Sequence, residues 1–215
     1  MKILHILCAT LMAVAFVSCD EHRDFPDTSM KTCDILCTDG KVVRFEDVKS
    51  QNKTPIAVVF YVNQNEDIQG TGYAVYLKDI EPYAYSDSLD LKHNTSADIT
   101  AFDGNGNTHA MYSTGTSPAA SAVFDMWQYG QSAYIPSVAQ IKLLYEARSA
   151  VNTYIRKCGG NELPDSPDEC WYWTSTEVKD QETAKAWLFS LASGALQETP
   201  KTQTHKVRPI ITLYN

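Results

Sequence analysis

The chain has 215 residues, enough for one domain of ordinary size or at most two small ones. With 44% hydrophobic and 20% charged residues it can bury a sizeable core, which excludes a disordered tail or a collagen-like repeat. Acids outnumber bases 26 to 18, for a formal charge of -8, so the basic face that a duplex nucleic-acid reader needs is missing and no nucleic-acid partner is expected.

At the N-terminus Lys2 precedes an almost unbroken apolar run from Ile3 to Val17, followed by Ser18 and Cys19. The run is too short to span a membrane and reads as a signal-peptide core. Phe16-Val17-Ser18-Cys19 resembles a bacterial lipobox, with Phe16 in place of the usual aliphatic residue, so residues 1–18 are expected to be removed and Cys19 to carry lipid. Residues 19–30, rich in charge and containing Pro26, read as a polar tether, and residues 31–215 as one folded domain. Acyl chains contribute roughly 0.8 kcal/mol per buried methylene, so the membrane is expected as a partner through Cys19 rather than through a spanning helix.

Asp34–Cys37 and Val42–Phe45 flank Asp39-Gly40, a strong hairpin signal. Ile56–Val62 is a buried-strand run of β-branched and aromatic residues, and Tyr73–Leu77 reads as its antiparallel partner. From Asp79 to Thr116 Asp, Ser, Asn and Gly dominate, which predicts loop, tightest at Asp103–Asn107. Ser117-Pro118 opens a short helix over Ala119–Trp127. Ser137 with Gln140 forms a capping-box pattern ahead of a longer helix with an apolar stripe at Val138, Ile141, Leu144, Tyr145, Val151 and Ile155, stopped by Gly159-Gly160. Trp171–Thr174, Ala186–Leu191 and Val207–Leu213 read as strands, the last bulged or at an edge because of Pro209. Strands, loop, two helices, then strands predict an α+β fold.

Six cysteines are present, of which Cys8 falls in the discarded segment and Cys19 takes lipid. The remaining Cys33, Cys37, Cys158 and Cys170 allow three disulfide connectivities in an oxidising compartment, and sequence alone does not choose among them. The Gly159-Gly160-Asn161 and Pro164–Pro167 turns favour Cys158 with Cys170, leaving Cys33 with Cys37. Their spacing is a poor match to a zinc site.

Tyr134-Ile135-Pro136-Ser137, Gly159-Gly160, Trp171-Tyr172-Trp173-Thr174-Ser175-Thr176-Glu177, Ala186-Trp187 and Lys206-Val207-Arg208-Pro209 follow one another in a recognisable order. From Ser117 to Leu213 the chain resembles the C-terminal domain of Legionella collagen-like adhesins, a bacterial domain of unknown function found in lipoproteins of gut Bacteroidetes. Gln140 stands where many relatives have an acidic residue, and Tyr134 where many have tryptophan. The resemblance implies a C-type-lectin-like fold with two helices packed on a twisted antiparallel sheet. It implies attachment or ligand binding and carries no catalytic constellation.

Individual residues sharpen this reading. Trp171 and Trp173 share a strand face and suit a core better than a sugar-stacking platform. Ser175, Thr176 and Glu177 lack a neighbouring base in sequence, and the histidines are scattered, so no catalytic residue is assigned. Asp103, Asn105 and Asn107 alternate oxygens as a calcium loop does, but Thr114 stands where that loop needs glutamate; an Asx turn explains them, and no metal or cofactor is expected. Tyr83, Tyr85, Asp103 and Asn105 are the candidate ligand-contacting residues of a loop-built surface. The expected function is therefore that of a lipid-anchored, non-catalytic binding module at the outer membrane or cell surface, recognising a glycan or protein in an adhesion-like role. The alternative is a structural, fimbria-associated envelope subunit that meets its neighbours through exposed strand edges.

Overall fold

The β-branched run of Ile56–Val62 lies at the centre of a sheet buried on both faces. In this computed structural model, which describes residues 29–64, 70–128 and 131–214, the chain starts with β1 (Ile35–Cys37), β2 (Val42–Val43), α1 (Phe45–Ser50), β3 (Pro55–Val62), β4 (Gly72–Tyr76) and β5 (Ile80–Ala84). It continues through α2 (Gly104–Ser113), α3 (Pro118–Phe124), a small hairpin of β6 (Trp127–Gln128) and β7 (Gln131–Ser132), and the long α4 (Val138–Lys157). It ends with β8 (Trp171–Glu177), β9 (Lys185–Ser190), β10 (Leu196–Pro200), β11 (Thr204–Val207) and β12 (Ile210–Leu213). The signal segment, Cys19 and most of the tether fall outside the described residues.

The first sheet has the order β12-β4-β3-β1-β2 and is antiparallel throughout, with Val58 opposite Val75 and Ile211 opposite Ala74. The second runs β10-β9-β8-β11-β5 and is mixed, because β11 meets β8 in parallel where Lys206 faces Tyr172. Alternation along the strands sends side chains into two cores. Ala57, Val59, Trp173 and Leu188 pack with Met111, Ala119, Ala120 and Val123 of α2 and α3. Val58, Phe60, Tyr172 and Phe189 pack with Ile141, Leu144, Val151 and Ile155 of α4. The fold is α+β, with helices on both faces of the strands.

The long helix forms where the sequence places it. Ser137 Oγ accepts the Gln140 N–H at 3.4 Å and Gln140 Oε1 accepts the Ser137 N–H at 3.0 Å, a complete capping box. Gln140 also links to its surroundings, since Oε1 accepts the Gly104 N–H at 3.2 Å and Nε2 donates to Tyr134 Oη at 3.2 Å. Gln140 and Tyr134 thus touch each other, and Tyr134 Oη passes the chain of contacts on to Thr212 Oγ1 at 2.7 Å.

Several expectations are corrected. Phe45 opens α1 instead of ending a strand, with Glu46 and Asp47 in its first turn and Lys49 in its last, the charge order that a helix dipole favours. The stretch from Asp79 to Thr116 contains β5 and the ten-residue α2, so it is not all loop. The Gly-Asn sequence there hides a helix that closes because Asn107 N–H reaches the Asp103 carbonyl at 2.9 Å and Thr108 Oγ1 donates to the Gly104 carbonyl at 2.8 Å. The predicted strand Val207–Leu213 is two strands in two sheets; Arg208-Pro209 is the point where the chain crosses from one to the other.

Candidate functional site

Glu177 ends β8 with its carboxylate only 1% exposed, and Lys201 and His93 beside it are fully buried. Lys201 Nζ donates to the carbonyls of Leu91 at 2.8 Å and Glu182 at 2.5 Å, approaches His93 Nδ1 at 3.0 Å, and forms an ion pair with Glu177 Oε1. Glu177 Oε1 also accepts the His93 backbone N–H at 2.9 Å, while Oε2 accepts Thr95 Oγ1 at 2.9 Å. His93 Nε2 lies 3.3 Å from Thr116 Oγ1, and the Tyr85 ring covers Lys201 at 5.3 Å. Burial alone would raise the Glu177 carboxyl, but the hydrogen bonds from His93 and Lys201 prevail and hold it at about 2. Burial draws Lys201 down, opposed by the Glu177 charge.

The arrangement brings together a carboxylate, an imidazole, an ammonium and a hydroxyl, the side-chain types of a reactive centre. Their polar atoms are directed at one another and at backbone carbonyls away from solvent, so the cluster works as a clamp. It joins the end of β8, the turn after β10 and the segment 86–98 that has little regular structure of its own. Sequence reasoning singled out Glu177 but not its partners His93 and Lys201, because 84 and 24 residues separate them from it. Ser175, two residues before Glu177 on β8, is fully buried, and among the described residues no group hydrogen-bonds its Oγ.

The four tyrosine and Asx positions expected to face a ligand do not act together. Tyr83 is 37% exposed on β5, but Tyr85 is fully buried, donates Oη to the Ser175 carbonyl at 3.0 Å, and packs edge-on against Trp173. Tyr85 is therefore a core residue. Asp103 is the N-cap position of α2 and accepts Asn107 Nδ2 at 2.9 Å and Ser96 Oγ, so its oxygens tie helix to loop. Asn105 lies exposed in the first turn of that helix. Trp173 is fully buried and donates Nε1 to the Tyr83 carbonyl at 3.0 Å, with Trp171 partly buried against the same core.

The expected disulfides are not formed. Cys33, Cys158 and Cys170 are free thiols, and Cys37 Sγ donates to the Ile35 carbonyl at 3.8 Å. Cys170 lies within 3.1 Å of the Pro167 carbonyl and 3.2 Å of Ser190 Oγ, whereas Cys158 shares an apolar cluster with Cys37. The turns after Gly159 do fold back, but they deliver Cys170 to β9 instead of to the helix end.

The second sheet ends on two strands with different edges. β5 carries Pro82 in its middle, which blunts it. β10 pairs with β9 alone among the described strands, and Leu196, Gln197 and Glu198 are exposed. The Ala195 carbonyl accepts the Ser190 N–H at 2.9 Å and the Lys201 N–H reaches the Ala184 carbonyl at 3.0 Å, so the alternation of the ladder turns the backbone of Leu196 and Glu198 outward. No described helix is long and apolar enough to cross a membrane.

No family model and no curated protein matches the chain. A crystallographically determined fimbrial protein from Bacteroides ovatus has a similar fold, with a TM-score of 0.66 and 16% identity. The likeness covers 84% of this chain and 48% of that one, so this chain spans about half the length of the fimbrial protein.

Proposed function

We propose that this chain is a fimbria-associated structural subunit of the cell envelope, held to the membrane by lipid on Cys19 and joined to a neighbouring chain along β10. The observation that carries the reading is the edge of the second sheet: β10 has no proline before its last residue and presents an outward row of backbone donors and acceptors. The fold shared with a fimbrial protein supports the same reading. Under this proposal the scaffold is a C-type-lectin-like member of the adhesin C-terminal domain family, used for contact and not for catalysis. Exposed Tyr83 favours a second reading, an adhesion-like module that takes a glycan or protein at its loops.

Glu198→Pro tests the assembly role, because it removes an outward N–H and leaves the inward ladder to β9 intact. Cross-linking on intact cells is expected to give a stoichiometric partner adduct with the wild-type chain. The variant, folded by circular dichroism, is expected to lose at least tenfold of that adduct. A wild-type chain that stays monomeric and captures a glycan on an array instead would replace assembly with recognition.

A further inference from the structure

The pairing of cysteines expected from the turns fails, yet two of the four are gathered at one place. Cys37 is the last residue of β1 and stands opposite Pro55 at the start of β3, where the Thr38 N–H donates to the Thr54 carbonyl at 2.9 Å. Cys158 is the C-cap of α4. The chain leaving that cap is fixed to the same end of the sheet, since the Asn161 N–H reaches the Leu77 carbonyl at 2.8 Å and the Leu77 N–H reaches the Ile56 carbonyl at 3.1 Å. The last turn of α4 is also tied to the segment following β2: the Tyr154 and Phe45 rings meet edge-on at 5.8 Å, and Lys157 Nζ sits 5.1 Å above Phe45. Both cysteines belong to one apolar cluster. Cys33 packs against the same cluster but further along β3, beside Asp34 with φ at 75°, where its N–H donates to the Val59 carbonyl at 2.8 Å, and Cys170 lies against Ser190.

We propose that Cys37 and Cys158 are a disulfide-forming pair that clasps the end of α4 to the first sheet. A second observation agrees: besides burial, the charge on Cys37 raises the Cys158 thiol, which places the two sulfurs within electrostatic reach. Cys158 is half-buried and Cys37 fully buried, so the order of events follows from access. The Cys158 thiolate attacks an incoming disulfide, forming a mixed disulfide and releasing one thiolate of the oxidant. The Cys37 thiolate then attacks Cys158 Sγ and releases the second. Two protein thiols are oxidised, one disulfide of the oxidant is reduced to two thiols, and the two protons end on those thiols. In the cell the oxidant is a small or protein disulfide of an exported compartment, and in this respect alone the inference rests on the envelope location proposed above.

The test uses the full-length folded chain and oxidised glutathione, so it does not depend on location or assembly. After incubation, thiols are alkylated and the unreduced protein is digested and mapped by mass spectrometry. The expected result is a Cys37–Cys158 linked peptide with Cys33 and Cys170 alkylated, retained in Cys33→Ser and Cys170→Ser and lost in Cys158→Ser. Closing a loop of about 120 residues is also expected to raise the thermal midpoint by roughly 10 °C over Cys158→Ser. Recovery of Cys37 alkylated while Cys158 carries glutathione, or any other pairing, overturns the proposal. The wild-type map alone decides if Cys158→Ser fails to fold, and neither result bears on cross-linking through β10.

Discussion

Lys201 holds its ammonium away from water, and only the partners it finds there make that tolerable. Removing one member of a buried pair leaves the other uncompensated, so Lys201→Met is expected to destabilise the chain by about 3–5 kcal/mol in urea denaturation. Replacing both Lys201 and Glu177 with apolar residues is expected to recover much of that loss, and a double variant as unstable as the single one would show that the clamp matters beyond its charges. The same carboxylate sets an acid limit. Glu177 is held at about 2, below its ordinary value of 4.5, so its ionised form is favoured by folding. The stability it contributes is fully present above pH 4.5 and is lost as pH falls toward 2. Unfolding free energies measured from pH 5 to pH 2 are expected to fall more steeply in the wild type than in Glu177→Gln; equal slopes would remove Glu177 as the titrating group.

At the scale of elements, legibility in the sequence follows how local the stabilising contacts are. α4 and the β3-β4 pair were readable because a capping box, an apolar stripe and β-branched runs lie within the segments themselves. β10 was not, since Leu-Gln-Glu-Thr-Pro has no alternation and becomes a strand only by pairing with β9. The sequence of α2 reads as a turn because Gly104, Asn105, Gly106 and Asn107 carry turn chemistry, and its helical state depends on contacts made 27 to 36 residues away. The clamp was invisible for the same reason: Glu177 could be named, but the residues that bury it arrive from remote segments. Gly104 illustrates the dependence, because a Cβ there would meet Gln140 Oε1 at 2.3 Å and the Ile135 carbonyl at 2.7 Å. Gly104→Ala is therefore expected to destabilise by about 1–3 kcal/mol despite alanine's better helix propensity. Gly106→Ala, with open space around the new methyl group, is expected to be neutral or stabilising by up to about 1 kcal/mol. The pair of thermal midpoints checks this, and a Gly104→Ala midpoint at or above wild type would mean the helix start is not packed as described.

For the whole molecule, the two sheets cannot be separated by cutting one connection. The chain passes from the first to the second between β4 and β5 and returns between β11 and β12. Both crossings meet at Arg208, which is fully buried and donates to Asp79 Oδ1 at 2.8 Å and to the Asn161 carbonyl at 2.8 Å. Each core also takes residues from both sheets, Val59 with Trp173 on one side and Val58 with Tyr172 on the other. Unfolding one sheet would therefore expose half of each core of the other, so no partly unfolded state keeps a complete core. The tryptophans offer a direct check, because Trp171, Trp173 and Trp187 lie in the second sheet while the strands of the first contain none. Trp127 lies in the small β6-β7 hairpin, so in a Trp127→Phe background tryptophan fluorescence reports the second sheet, and hydrogen exchange at β3 and β4 amides reports the first. The two are expected to give one midpoint in urea and one free energy of opening. If β3 and β4 amides stay protected past the fluorescence transition, the sheets are independent units and the crossing at Arg208 does not couple them.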